Sequence, residues 1–367
     1  MRVVIDAVPL LVRSAGVKNY LYHWIRELRR AAGPSRVGTF PAMADFGSLQ
    51  HERSVAARWR TISGLGALAL SNHTPLPVLD WLTRGASIFH ASTLTHYPPR
   101  RPRLTATIYD LTCWIMPELH TPANLRAERA FAEVLRNASR LIAISESTRC
   151  DAARVLKLPA EKIAVIHPGI AESFFHVDGA SIAAVRARYG LTRPFVLFVG
   201  TIEPRKNVDA LLDGFAALPA SLREEFELVL AGPSGWAPAA TLARLSSARY
   251  LGYVPEQDLA PLTAAATVFA YPSLYEGFGF PLAQAMAVGV PAITSNVSSL
   301  PEIAGDAALL IDPRSQAELR DGLARLLLSP GLRADLAARG RARALQFRWE
   351  TCAAQSLRFF EELDGAG

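Results

Sequence analysis

A chain of 367 residues, half of them hydrophobic and a fifth charged, is long enough for two ordinary domains and too apolar for a disordered protein. Three cysteines stand far apart, at Cys113, Cys150 and Cys352; no pair has redox or metal spacing, and the odd count argues against a disulfide framework and fits a reducing cytosol. The net charge of +6 is uneven, the first 170 residues being basic and the rest mildly acidic. A basic N-terminal half suits an anionic acceptor or peripheral contact with an anionic membrane, and a well-solvated arginine-rich surface explains it equally well. No long apolar run exists and the first strand reaches Asp6 at once, so neither a membrane span nor a signal peptide is expected.

The opening strand, residues 3–5, runs into Asp6 and a loop ending Ser14-Ala15-Gly16-Val17-Lys18-Asn19-Tyr20. A helix is predicted over 20–30, where Leu21, Trp24, Ile25 and Leu28 recur at helical spacing. Strand, glycine loop and helix together aim backbone N–H groups at a phosphate or a hydroxyl. A tight turn without any ligand accounts for one glycine just as well. Residues 41–87 carry the weakest pattern. A helix is read over 51–60, and the apolar stretches 62–70 and 75–82 are read as core or a packing helix, with a membrane- or acceptor-gripping insertion as the alternative. Alternation then resumes, with strands at 88–92, 104–109, 141–144 and 163–166. Helices are expected over 123–137 and 148–156, the second capped by Ser145-Glu146-Ser147. Polar residues at the C-terminal ends of parallel strands line a ligand crevice, which singles out His90, Tyr109 and Asp110. His90 could reach an acceptor, as could Lys18 from the glycine loop; a satisfied buried histidine is the plainer outcome.

Residues 170–194 read as a linker carrying one short helix. Strands follow at 195–199, 227–230, 250–254, 267–270, 291–294 and 307–311, interleaved with helices at 208–217 and 257–265, and the tail from 315 is helical almost to its end. Strands alternating with helices in both halves predict an α/β protein of two doubly wound, Rossmann-like parallel sheets facing each other across a cleft, over residues 1–172 and 190–346.

Chemistry concentrates in two stretches of the second half. In Tyr275-Glu276-Gly277-Phe278-Gly279-Phe280-Pro281 the glycines let backbone approach a ligand, Pro281 suits a first helical turn, and the helix start favours an anion. Glu276 cannot bind that anion, but it can accept hydrogen bonds from hydroxyls beside it. An anion next to hydroxyls describes a nucleotide-sugar. In Gly200-Thr201-Ile202-Glu203-Pro204-Arg205-Lys206-Asn207, two adjacent cations at the end of a buried strand suit a diphosphate. No Asp-x-Asp with acidic neighbours appears, so no metal is expected, and fixed cations would stabilise the leaving group.

These two motifs together resemble the retaining, metal-independent glycosyltransferases of family 4, of GT-B fold. The resemblance spans nearly the whole chain, through Gly16, Tyr109-Asp110, Ala143-Ile144-Ser145, His167-Pro168-Gly169, Gly252-Tyr253-Val254 and Ser299-Leu300-Pro301-Glu302. Within the family the chain is most similar to bacterial mannosyltransferases of surface polysaccharide synthesis. The resemblance implies a last helix, 347–367, that packs back on the first domain. It also implies that Arg205 and Lys206 hold the donor diphosphate, with Thr201 beside them, and that Glu276 binds the donor sugar. Gly277, Phe278, Gly279 and Phe280 would approach sugar and phosphates through their backbone, Gly252, Tyr253 and Val254 would frame the base, and Gly16 would lie against phosphate or acceptor. No cofactor is implied beyond the nucleotide-diphosphate sugar as co-substrate. The acceptor would be a glycan or lipid-linked glycan, on the cytoplasmic side and at the inner face of the membrane; the basic half shows no nucleic-acid-binding module and no basic–aromatic interleaving, so no nucleic-acid partner is expected.

Two positions depart from the family pattern. Gln284 stands where a second glutamate usually meets the ribose, and Tyr109 where a histidine usually precedes Asp110. Glutamine keeps an acceptor but loses the charge, and a phenol does not titrate near neutrality. The alternative to catalysis is therefore a non-catalytic nucleotide-sugar-binding protein or partner subunit.

Overall fold

Two separate six-stranded sheets organise the chain, in a computed structural model that describes residues 1–12, 16–49, 53–74 and 76–365. The expectations placed on Ser14, Ala15, His51 and Pro75 lie outside the described residues. The chain divides into two units, Met1–Gly169 with Trp349–Gly367, and Ile170–Arg348.

In the first unit the strands are β1 (Val3–Asp6), β2 (Val37–Phe40), β3 (Ile88–Ala91), β4 (Arg103–Ile108), β5 (Arg140–Ala143) and β6 (Ile163–Val165). They lie in the order β2-β1-β3-β4-β5-β6, and every pairing is parallel. Buried on both faces, β1 and β3 are apolar almost throughout, as central parallel strands must be. The sequence pattern missed β2, an edge strand of four residues that contains a glycine. Helix Gly16–Ala32 starts earlier than its apolar spacing suggests and buries Tyr20, Leu21, Trp24, Ile25 and Leu28. Trp24 Nε1 donates to Ser356 Oγ at 2.9 Å, which ties the last helix, Trp349–Gly365, into this unit. A Cβ at Gly169 would meet Trp349 N at 2.2 Å, so only glycine allows the chain to pass there.

In the second unit the strands are β7 (Phe195–Val199), β8 (Glu227–Ala231), β9 (Arg249–Gly252), β10 (Val268–Tyr271), β11 (Ala292–Ser295) and β12 (Ala308–Ile311). Their order is β12-β11-β10-β7-β8-β9. The order reverses between β7 and β10, as it does between β1 and β3 in the first unit. Such switch points open a crevice beyond the carboxyl ends of the strands.

The linker reading of 170–194 is corrected. These residues belong to the second unit, with Phe174 and Val185 buried and a helix over Gly179–Arg188. Arg348 lies over the Phe175 ring at 3.7 Å and bonds Glu172 at 2.6 Å. A few widely spaced apolar residues were enough to pack this segment, which composition alone does not reveal. The helical tail is broken where Ser329 accepts from Leu332 N at 3.3 Å and caps the helix Pro330–Ala344.

Candidate active site

The two singled-out stretches of the second unit leave β7 and β10, the strands on either side of the switch point. Beyond β7, Gly200 lies so close to the exit of β8 that a Cβ on Gly232 would meet Gly200 O at 2.0 Å. Residues Pro204–Lys206 then form one tight 3-10 turn, and Asn207 takes a left-handed conformation at φ 57°. Its Nδ2 donates to Pro272 O at 3.1 Å and Pro313 O at 2.8 Å, while Leu274 N donates to Arg205 O at 2.8 Å. These bonds lock the turn after β7 onto the turns after β10 and β12.

As a result Arg205 and Lys206 meet Glu276. Arg205 Nη1 donates to Glu276 Oε2 at 2.7 Å and to Tyr275 O at 2.8 Å, and its Nη2 to Glu203 Oε1 at 2.6 Å. Lys206 Nζ donates to Glu276 Oε1 at 2.6 Å and to Tyr271 Oη at 2.7 Å. Two acids and two cations thus form a nearly neutral, largely buried cluster. Burial alone would raise the Glu276 carboxyl, but Arg205 and Lys206 more than offset it and hold it at about 2. Burial, with the Arg205 charge beside it, lowers Lys206 below the ordinary lysine range, against the pull of Glu276 and Glu203. The Glu276 backbone is fixed as well, its N–H on Ser298 Oγ and its carbonyl accepting from Ser299 Oγ, both at 2.9 Å.

Gly279 enters the helix Phe280–Val288 at φ 93°, a conformation that only glycine adopts readily. The backbone role expected of Phe278 leaves its ring free to pack, and that ring is buried against Phe280 and Phe347 at 5.1 and 5.4 Å. Gln284 sits half-buried on the same helix. Thr201 is half-buried beside Gly235, with which it is packed too tightly for any Cβ there. Gly252 has φ 68° with open space where a Cβ would stand, Tyr253 is exposed, and Val254 is buried, so Val254 can frame a base only through its backbone.

The first unit corrects two expectations. His90 does not reach an acceptor: it is buried, its ring nitrogens are both 2.9 Å from Thr105 Oγ1 and Thr107 Oγ1, and Trp24 packs edge-on at 5.0 Å. Its place on the fully buried strand β3 points it into the core, and burial lowers its pKa to about 3. Lys18 is also buried, with Nζ donating to Val12 O at 2.7 Å and Arg53 O at 2.6 Å, so it fastens loops instead of meeting an acceptor. Among the described residues nothing lies within 4 Å of a notional Cβ on Gly16, the first residue of its helix, so none of these neighbours requires a glycine there.

Tyr109 and Asp110 line a cavity of about 120 Å³ with Trp114 and Glu128. Tyr109 packs edge-on against Tyr20 at 5.3 Å. Asp110 Oδ1 accepts from Thr112 N at 3.0 Å and Thr112 Oγ1 at 2.6 Å, which leaves its other oxygen for the cavity. Glu128 was missed by the sequence reading. Burial, and then the Asp110 charge, push its carboxyl up to about 7. It stands within the helix Pro122–Asn137, where an acid with Glu133 as its only fellow and arginines on either side gives no signal. Asp6 was also passed over, although an acid closing a buried strand at a switch point was the available clue. It is fully buried and accepts from Val8 N at 2.9 Å and from the hydroxyls of Ser92 and Thr95. Among the described residues, no three His, Cys, Asp or Glu side chains converge as metal ligands, and no helix is long and apolar enough to cross a membrane.

Comparison with known proteins gives this geometry its context. Residues 14–174 match the family model described as Glycosyltransferase Family 4, and residues 184–343 match Glycosyl transferases group 1. Over 284 residues the chain is 35% identical to the O-antigen chain mannosyltransferase B of Escherichia coli, covering 75% of this chain and 74% of that one. It is 28% identical over 236 residues to the serotype-specific mannosyltransferase WbdA of Escherichia coli, covering 62% of this chain but 29% of that longer protein. In fold it matches sucrose-phosphate synthase from Thermosynechococcus elongatus, with a TM-score of 0.73 at 21% identity over 100% of both chains. Anabaena HepE, solved in complex with UDP-glucose, matches with a TM-score of 0.71 at 18% identity over 99% of this chain and 100% of that one. Nothing in these findings favours the non-catalytic reading, and the chain belongs to the family 4, group 1 glycosyltransferases of GT-B fold, with O-antigen mannosyltransferases among its relatives.

Proposed function

We propose that this glycosyltransferase moves a hexose, mannose by its likeness to the O-antigen enzymes, from a nucleoside-diphosphate sugar to a glycan or lipid-linked glycan, with retention and without a metal. The observation that carries the reading is the pairing of Arg205 and Lys206 with Glu276 at the switch point of the second sheet. A diphosphate arriving there competes with Glu276 for both cations and frees its carboxylate to accept from sugar hydroxyls. The C1–O bond to the diphosphate breaks as the acceptor oxygen bonds C1 on the same face. The acceptor proton passes to the leaving phosphate oxygen, so the step needs no carboxylate base. Fixed cations stabilise the developing charge of the diphosphate, as preorganised donors do at other leaving groups.

The test is a transfer assay with GDP-mannose and UDP-glucose as alternative donors, mannoside oligosaccharides as acceptors and added chelator. The product anomer is read by NMR. An α-linked product formed in the presence of chelator supports the proposal. An inverted product, or transfer that chelator abolishes, overturns it.

A further inference from the structure

The exposed apolar residues of the first unit are gathered on adjoining segments. On the helix Arg58–His73, positions 59, 62, 66 and 70 are Trp, Ile, Gly and Leu. At the α-helical turn they fall within roughly 80° of one face. Trp59 is 65% exposed and Ile62 62%. The opposite face, with Gly64, Leu68 and Ser71, is the one that packs, and a Cβ at Gly64 would meet Pro41 Cγ at 2.1 Å. Packing therefore fixes the apolar stripe outward. The short helix Val78–Leu82 packs beside it and leaves Trp81 65% exposed. Ser71 Oγ donates to Tyr97 O at 3.3 Å, and Asn72 bonds both Leu94 O and His96 N at 3.0 Å, which holds the loop carrying exposed Tyr97 against the same helix.

Charge is as one-sided as the apolar groups. Between residues 53 and 103 Asp80 is the only acid, and its Oδ1 already accepts from Arg100 N and Arg101 N at 2.9 and 3.3 Å. Against it stand Arg58, Arg60, Arg84, Arg100 and Arg101, with the Arg60 guanidinium 5.0 Å from the Trp59 ring. A second copy of this face would set arginine against arginine. A bilayer of anionic lipid answers both features, phosphates meeting the arginines and the headgroup region receiving tryptophan and isoleucine.

We propose that this face, centred on Trp59, Ile62 and Trp81, docks on an anionic lipid surface. The inference is independent of the reaction assigned to the second unit.

Flotation of the full chain with phosphatidylglycerol–phosphatidylcholine vesicles and with pure phosphatidylcholine vesicles tests it. The chain is expected to float with the anionic vesicles, with a blue shift of tryptophan emission, and to release them as salt rises. The combined variant Trp59→Ser, Ile62→Ser, Trp81→Ser is expected to bind at least about tenfold more weakly, and Arg58→Ala with Arg60→Ala to lose about tenfold on anionic vesicles alone. A thermal melt checks folding, and the arginine variant decides the matter if the first does not fold. No binding by the unaltered chain, or undiminished binding by the folded variants, overturns the proposal. So does a dimer that the apolar substitutions dissolve without any lipid binding, which would assign the face to a second copy.

Discussion

Lys206 Nζ stands 2.6 Å from Glu276 Oε1, although the two residues are 70 positions apart. Their side chains leave opposite sides of the switch point, one after β7 and one after β10. With Arg205 on the other carboxylate oxygen and Glu203 behind it, the charges are balanced before any ligand arrives. A buried pair of this kind is weak evidence for stability, because desolvation offsets most of the attraction. What it supplies is a set of cations already in place, with an internal anion that a phosphate can displace.

Arg205→Ala and Lys206→Ala should each lower kcat/KM for transfer by at least about a hundredfold, the scale of losing one preorganised donor at a developing charge. The Lys206 effect should fall on kcat as well as on binding of the nucleoside diphosphate measured by calorimetry. Transfer within a few-fold of the unaltered enzyme in either variant would remove the diphosphate role.

Glu276→Gln removes the charge that balances two largely buried cations and turns one of their two acceptor oxygens into a donor, and should destabilise the second unit by about 3–5 kcal/mol. The pH dependence has a definite sign. The folded carboxyl sits at about 2, below its ordinary value of 4.5, so its contribution is present above pH 4.5 and is lost as pH falls toward 2. That contribution is about 3 kcal/mol. Melting curves between pH 6 and pH 2 should therefore converge for the unaltered and substituted proteins, and a gap that stays constant across this window contradicts the assignment.

Glu128 should behave in the opposite way. Its folded carboxyl sits at about 7 against an ordinary value of 4.5, so its stabilising proton is fully held below pH 4.5 and lost as pH rises through about 7. Glu128→Gln should match the unaltered protein near pH 4 and exceed it by about 2–3 kcal/mol at pH 8. Urea denaturation at the two pH values checks this; equal stabilities at pH 8 would show that the carboxylate is not strained by Asp110 and burial.

Gly16→Ala separates folding from ligand approach. No described residue lies within 4 Å of the added Cβ, so the melting temperature should hold or rise slightly, as replacing glycine at a helix start commonly allows. Transfer should nevertheless fall at least about tenfold if the backbone there faces a ligand. Unchanged kinetics would leave Gly16 as a simple turn residue.

Much of the architecture was legible because central parallel strands are short, apolar and buried on both faces, as 195–199 and 88–91 illustrate. The edge strand Val37–Phe40 was not legible, since four residues with one glycine carry no run of strand formers. The helix Arg58–His73 was blurred for a related reason: apolar residues on its outer face hide the periodicity that its packed face would otherwise show.

At the candidate site the sequence by itself determined which residue types were present and where helix starts and glycines allow a ligand to come close. Arg205, Lys206, Glu276 and Gly279 could all be singled out in this way, because cations after a buried strand and glycines before a helix have few other uses. Only the tertiary structure decided how they are paired. Glu276 turned out to hold the two cations, and His90 and Lys18, polar residues near strand and helix ends, turned inward to Thr105, Thr107 and two loop carbonyls. The physical reason is that a side chain's direction and partners depend on strands far away in sequence, and a linear pattern does not encode which of them lies alongside.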